Sequence, residues 1–74
     1  MDDDHELTPH LKCDVELEFS GPTMAVLDKW AADVLRALAD RVEKGEFQDG
    51  FHEVADKVGK PVGSIYIDYS AQSA

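Results

Sequence analysis

The chain has 74 residues, enough for one small domain, and a domain near this size buries only about 60 % of the surface that its unfolded chain exposes. A hydrophobic fraction of 43 %, with one Trp, two Tyr and three Phe, indicates a folded core and excludes a chain that is disordered as a whole. With 16 acidic and 7 basic residues, the formal net charge of -9 opposes direct binding to nucleic acid or anionic membranes and favours basic protein partners.

The cysteine content and the apolar runs indicate the compartment. Cys13 is the single cysteine, so no internal disulfide can form, and the N-terminus lacks the basic and apolar regions of a secretory signal. No apolar run approaches the roughly 18 residues needed to span a bilayer. We therefore expect a reducing, cytoplasmic location.

Residues 1–10, MDDDHELTPH, carry four acids, two His and a Pro without apolar periodicity, which predicts an acidic disordered tail. One domain is expected over residues 11–70, and residues 71–74 should fray. Nothing fixes the Asp and His side chains of the tail into a metal site, and the ligand count excludes structural zinc. Neither a metal nor another cofactor is predicted.

The stretch LKCDVELEF, residues 11–19, alternates strictly between apolar and other side chains, which predicts a half-buried strand. Its core side would hold Leu11, Cys13, Val15, Leu17 and Phe19. Its other side would hold Lys12, Asp14, Glu16 and Glu18. Because Cys13 falls among the inward positions, we expect a buried, inert thiol; the alternative is an intermolecular disulfide or a reactive nucleophile.

A long amphipathic helix is predicted next. Ser20 and Gly21 offer cap chemistry, and Pro22 suits a first helical turn, where its missing N–H is not needed. Seven apolar residues share one arc at 3.6 residues per turn: Met24, Leu27, Ala31, Val34, Leu35, Leu38 and Val42. Gly45 ends the helix after roughly six turns. Its four acids are matched by four bases, so the excess negative charge lies elsewhere.

The segment FHEVADKVGKPVGSIYIDYS predicts a hairpin with Gly59 in its turn. Pairing Asp56 with Lys60 sets Val54 opposite Val62 and Phe51 opposite Ile65. This register assigns one set to the core face: Phe51, Gly63, Ile65, Ile67 and Tyr69. It assigns the other set to the opposite face: His52, Val54, Val62, Ser64, Tyr66 and Asp68.

The order of elements is strand, helix, strand, strand, which defines a small α+β domain of β-α-β-β type. A right-handed crossover from the first strand to the second, with the third between them, gives the sheet order 1-3-2 with the helix on one face. The other face of the sheet is then uncovered in a monomer.

On that uncovered face, carboxylates stand in a row with about 6.6 to 6.8 Å between neighbours on a strand. The predicted partner-binding residues are Asp14, Glu16, Glu18, Asp68 and Tyr66. Evenly spaced anions resemble a nucleic-acid backbone, and a basic site that releases counterions from phosphates can do the same with carboxylates. The alternative is an acidic face that serves only solubility.

Two apolar patches predict a homodimer, because one helix on three strands makes a thin core that a second copy would cover. The predicted dimer surface comprises Trp30 and Val26 on the helix flank with Val54 and Val62 on the sheet. Alternatively, Trp30 only covers the edge of the core.

Catalysis is not expected. His52, Tyr66 and Asp68 have the residue types for acid–base chemistry, but an exposed sheet face without a cleft offers no site to tune them. The stretch GKPVGS lacks the spacing and the following helix of a phosphate-binding loop.

In size, acidity and absence of catalytic motifs, the chain is similar in general character to phage-encoded inhibitors of host defence, including anti-CRISPR proteins, many of which occupy basic nucleic-acid channels. This likeness implies a non-enzymatic inhibitor or adaptor that occupies the basic surface of a nucleic-acid-binding complex by mimicking nucleic acid. The alternative is a structural or dimerisation module whose apolar surface binds a partner.

Overall fold

A three-stranded antiparallel sheet and one helix make up residues 8–72, the part of the chain that the computed structural model describes. The elements are β1 (Thr8–Leu17), α1 (Met24–Glu43), β2 (Gly50–Ala55) and β3 (Pro61–Gln72). The strands are arranged in the order β1-β3-β2. The predicted α+β class, β-α-β-β order and sheet order are confirmed.

Strand β1 begins at Thr8, so the predicted tail boundary at residue 10 is wrong, and the rest of that tail lies outside the described residues. Pro9 does not stop the strand because of where its nitrogen points. The Glu18 N–H donates to the Val62 carbonyl at 2.8 Å. The backbone N–H and C=O groups of even-numbered β1 residues therefore bond to β3, and those of odd-numbered residues point away from β3, toward the open edge of the sheet. An edge strand tolerates Pro at an outward position.

The far end of the sheet is correspondingly longer than predicted. Thr8 pairs with Gln72 and Pro9 with Ala71, so β3 continues through residues expected to fray. Residues 73–74 lie outside the described part of the chain.

Helix α1 begins two residues after the proline that was expected in its first turn. Thr23 is the N-cap, with an extended backbone and a side chain whose hydroxyl accepts from the Val26 N–H at 3.2 Å. A Thr hydroxyl directly before the first turn satisfies an orphan N–H, so Ser20 and Gly21 are not the cap. At the other end Lys44 is the C-cap, and Gly45 adopts a φ of +69°, consistent with the predicted stop.

The core lies between α1 and the two strands of the hairpin. Val34 and Leu38 of the helix are buried with Phe47 of the following loop. From the sheet they meet Val54, Val62, Ile65 and Ile67. Strand β1 contributes only its end to this core, because Leu17 is partly buried whereas Leu11 and Val15 remain 45 % and 41 % exposed. The helix therefore covers part of the sheet and leaves most of β1 bare.

The hairpin closes as predicted and then departs from the predicted register. Asp56 N–H donates to the Lys60 carbonyl at 2.9 Å. Ala55 pairs with Pro61, but the next residue, Val54, pairs with Gly63. Val62 is therefore an extra residue in β3, which is the definition of a β-bulge.

This bulge reverses the two faces predicted for β2. Phe51 lies opposite Tyr66 and not Ile65, and Val54 does not face Val62. A slip of one residue moves every side chain of a strand to the other face. Val54 and His52 consequently lie on the helix side with Ile65, and Phe51 lies on the opposite side.

Gly63 directly follows the bulge, at a position that has no room for a side chain. A Cβ at this position would overlap the carbonyl oxygen of Glu16, and the backbone φ of +158° is one that other residues rarely adopt. The close approach of β3 to β1 is thus possible only with glycine.

Replacing Gly63 with Ala should lower the free energy of unfolding by about 3 kcal/mol or more, because a methyl group would force the two strands apart. Urea unfolding followed by circular dichroism measures this loss. Gly45→Ala is the matched control, because φ is positive there but no atom lies within 4 Å of the added Cβ. It should cost about 1 kcal/mol. Equal losses in the two variants would contradict the close approach.

Candidate partner-binding surface

The sheet face that points away from α1 is not covered by any described element, and we call it the open face. Strand pairing aligns its residues in three rows across the sheet. The first row is Asp14, Tyr66 and Phe51, the second is Glu16, Ser64 and Glu53, and the third is Lys12 and Asp68.

Negative charge dominates the open face. It holds four carboxylates, from Asp14, Glu16, Glu53 and Asp68, and one cation, Lys12. The Lys12 ammonium lies 4.0 Å from the Asp14 carboxylate, with both side chains exposed, so the attraction between them is weak. Within residues 8–72, the other three carboxylates of this face form no salt bridge. They are available to an incoming cation.

An aromatic pair lies among these carboxylates. The rings of Phe51 and Tyr66 have centroids 4.7 Å apart and are tilted by 44°. Phe51 is 77 % exposed and Tyr66 is half-buried, so the Phe51 ring is open to contact with another molecule. The open face thus combines acidic and aromatic side chains.

Every cation of α1 and of its C-cap forms an ion pair with an acid of the helix or of its C-terminal loop. The ion pairs are Lys29 with Asp33 at 3.0 Å, Arg36 with Asp33 at 3.3 Å, Lys44 with Asp40 at 2.9 Å and Arg41 with Glu46 at 3.1 Å. Each is exposed and contributes little to stability. Asp28 and Glu43 pair with no cation among the described residues, but the helix with its C-cap holds four acids and four bases, whereas the open face holds four acids and one lysine.

The structure brings together four of the five residues predicted to bind a partner: Asp14, Glu16, Asp68 and Tyr66. Glu18 lies just beyond β1 and extends the same series, since its N–H continues the ladder to β3. Sequence reasoning missed Phe51 and Glu53, which the bulge moves onto this face. Gly63 within an apolar strand was the available signal, because such a glycine often marks a bulge.

Two residues of the predicted dimer surface are buried in the monomer. Val54 and Val62 are only 2 % and 7 % exposed, so placing them on the uncovered face is wrong. The bulge is the reason, since it flips Val54 and turns Val62 into the core.

His52 is separated from the residues with which it was considered for acid–base chemistry. It lies on the helix side of the sheet, where a ring nitrogen is 2.6 Å from the Gln48 carbonyl and the ring packs 5.0 Å from Phe47. Tyr66 and Asp68 lie on the open face. These three side chains do not converge.

Trp30 lines a groove at one end of the domain. The indole packs against Gly21, where an added Cβ would lie 2.9 Å from the ring, and Trp30 remains 39 % exposed. The groove has a volume of about 790 Å³ and runs between residues 16–20, Trp30 and the β2–β3 turn. Val26, the other helix residue of the predicted dimer surface, is half-buried. Glu16 and Glu18 line the groove, which therefore adjoins the open face.

Cys13 is exposed, and the prediction of a buried thiol is wrong. It does lie on the helix side of the sheet, opposite buried Ile67 of β3. The helix does not reach β1 at this point, so facing the helix side is not sufficient for burial.

No group of three or more His, Cys, Asp or Glu side chains within residues 8–72 is placed to hold a metal ion. Helix α1 is too polar to cross a membrane. Comparison of the chain with protein-family models, curated proteins and solved structures finds no match.

Lys29→Met should raise the pKa of Asp33. The hydrogen bond from the Lys29 ammonium holds the pKa of that carboxyl below its ordinary value of 3.8. Because the folded pKa is lowered, the contribution to stability is present above the unfolded pKa and is lost as the pH falls through the folded value. Carboxyl-carbon NMR over an acidic pH series measures this change. Lys44→Met should leave Asp33 unchanged, and an unmoved Asp33 in Lys29→Met would refute the pairing.

Val54→Ala and Phe51→Ala should differ sharply in stability, because the two side chains lie on opposite faces of β2, with Val54 buried and Phe51 exposed. Loss of buried Val54 methyl groups should lower the free energy of unfolding by about 2 kcal/mol. Truncation of exposed Phe51 should cost below about 1 kcal/mol, the value of its contact with Tyr66. Denaturant titrations of both variants test this order, and the reverse order would restore the unbulged register.

Proposed function

We propose that this protein is a non-enzymatic inhibitor or adaptor whose open face occupies the basic surface of a nucleic-acid-binding complex. The observation that carries the proposal is the set of unpaired carboxylates around the aromatic pair of exposed Phe51 and half-buried Tyr66. Glu16, Glu53 and Asp68 have no cationic partner in the described chain, although every cation of α1 has an anionic one.

The arrangement of the anions supports mimicry of nucleic acid. Charges repeat about 6.8 Å along a strand and about 10 Å across the two inter-strand spacings that separate Glu16 from Glu53. A Lys- and Arg-lined channel that binds phosphates gains affinity by releasing counterions, and a fixed array of carboxylates can exploit the same gain. Electrostatic attraction of this kind accelerates association and weakens with salt.

Phe51 and Tyr66 would add apolar contact area to the electrostatic attraction. Large aromatic side chains at the centre of an interface, ringed by polar groups, contribute a large share of binding energy. Channels for single-stranded nucleic acid also stack bases on aromatic side chains, so the exposed Phe51 ring would imitate a base as the carboxylates imitate phosphates.

The proposed partner is a basic protein or nucleoprotein surface in the cytoplasm, reached without direct binding of nucleic acid. This is the general mode of the phage inhibitors that the composition resembles. The alternative is a module that binds through an apolar surface. Val54 and Val62 are buried in the core and cannot form that surface, but the exposed apolar side chains of β1 could.

The test compares two triple variants of equal net charge. One neutralises the open face with Glu16→Gln, Glu53→Gln and Asp68→Asn. The control neutralises exposed acids of the helix with Asp28→Asn, Asp40→Asn and Glu43→Gln. Each protein is immobilised, exposed to nuclease-treated host lysate at low and high salt, and its captured proteins are identified by mass spectrometry.

The proposal expects capture of a nucleic-acid-binding complex by the natural protein and by the helix variant, at least tenfold weaker capture by the open-face variant, and release by salt or an added oligonucleotide. Equal capture by both variants would show that net charge, and not this face, governs binding.

A further inference from the structure

The outer edge of β1 carries backbone groups that no described residue satisfies. In residues 8–72 this strand pairs only with β3. Because the Glu18 N–H and the Glu16 carbonyl point toward β3, the backbone groups of the odd-numbered residues point outward. An exposed strand edge of this length is a template for pairing with another strand.

The same odd-numbered residues present an apolar row on the helix side. Leu11, Cys13 and Val15 are exposed there because α1 covers the hairpin instead. Tyr69, the neighbour of Leu11 on β3, is also 44 % exposed. The edge therefore combines free hydrogen-bonding groups with bare apolar side chains.

We propose that two copies of this protein dimerise by antiparallel pairing of their β1 strands, with the two-fold axis at Cys13. In this register Leu11 lies opposite Val15 of the second copy, and the two Cys13 residues face each other. On the open face Lys12 lies opposite Asp14 of the second copy, and His10 lies opposite its Glu16. Directly opposed residues of unlike charge stabilise antiparallel strands.

Charge complementarity selects this register from its neighbours. An axis at Lys12 would oppose the two lysines, and an axis at Asp14 would oppose the two aspartates. An axis at Val15 would set Asp14 against Glu16 in both directions. Directly opposed like charges are destabilising. The Cys13 register avoids them and also matches apolar residues with apolar residues on the helix side.

The resulting dimer has a continuous six-stranded sheet with both helices on one side. The apolar row of each copy meets the other along the two-fold axis, between the helices. The two open faces join on the opposite side of the sheet. Each copy contributes four acids and one lysine, Lys12, to this joined face, so its net charge remains negative. Dimerisation thus leaves the acidic side of the sheet free.

A charge exchange tests the register. Lys12→Asp places like charges at the opposed positions 12 and 14, and Asp14→Lys does the same with positive charges. Each single variant should dimerise about tenfold or more weakly than the natural protein, because two opposed pairs become repulsive. An equimolar mixture of the two variants should form a complex with one copy of each, since both opposed pairs are then complementary. Sedimentation equilibrium and native mass spectrometry measure these states.

The double variant Lys12→Asp, Asp14→Lys separates dimerisation from folding. It carries both substitutions, but Asp at position 12 again lies opposite a residue of unlike charge, Lys at position 14 of the second copy. It should therefore dimerise like the natural protein. A short bismaleimide should join the two Cys13 thiols in the natural dimer and in the mixture. A monomeric natural protein, single variants that dimerise normally, or a mixture that does not associate would each overturn the proposal.

Discussion

The backbone of Gly63 passes so close to the carbonyl of Glu16 that no side chain fits between them, and the rest of the structure depends on this approach. It follows directly on the extra residue Val62, whose bulge sets the register of β2. Val54 then completes the core beneath α1, and Phe51 joins Tyr66 on the open face. One irregularity in β3 therefore decides both what is buried and what is displayed.

The distribution of charge follows the same division. On α1, the ion pairs leave little uncompensated charge, and the helix serves mainly to cover the hairpin with Val34 and Leu38. On the open face, carboxylates stand on three strands whose spacing is fixed by hydrogen bonds, so their separation does not depend on flexible side chains alone. A rigid anionic array is better suited to a basic site than a flexible acidic segment, because less order is lost on binding.

Local sequence patterns predicted the helix and the strands, but they did not predict the features that depend on tertiary packing. Alternation over residues 11–19 and the helical arc identified β1 and α1, and the chirality of crossovers gave the sheet order. The register of β2 was missed because its six residues carry an apolar side chain on each face, Phe51 and Val54, so periodicity fits either choice. The exposure of Cys13 was missed because alternation assigns a face but not the area that one helix can cover.

The most direct measurement of the central claim, that the bulge at Val62 sets the two faces of the sheet, is a nuclear Overhauser spectrum of the natural protein. The account predicts contacts between the rings of Phe51 and Tyr66, between the backbones of Val54 and Gly63, and from Val54 methyl groups to Val34 or Leu38. Contacts from the Phe51 ring to Ile65, with Val54 directly opposite Val62 and remote from the helix, would contradict it.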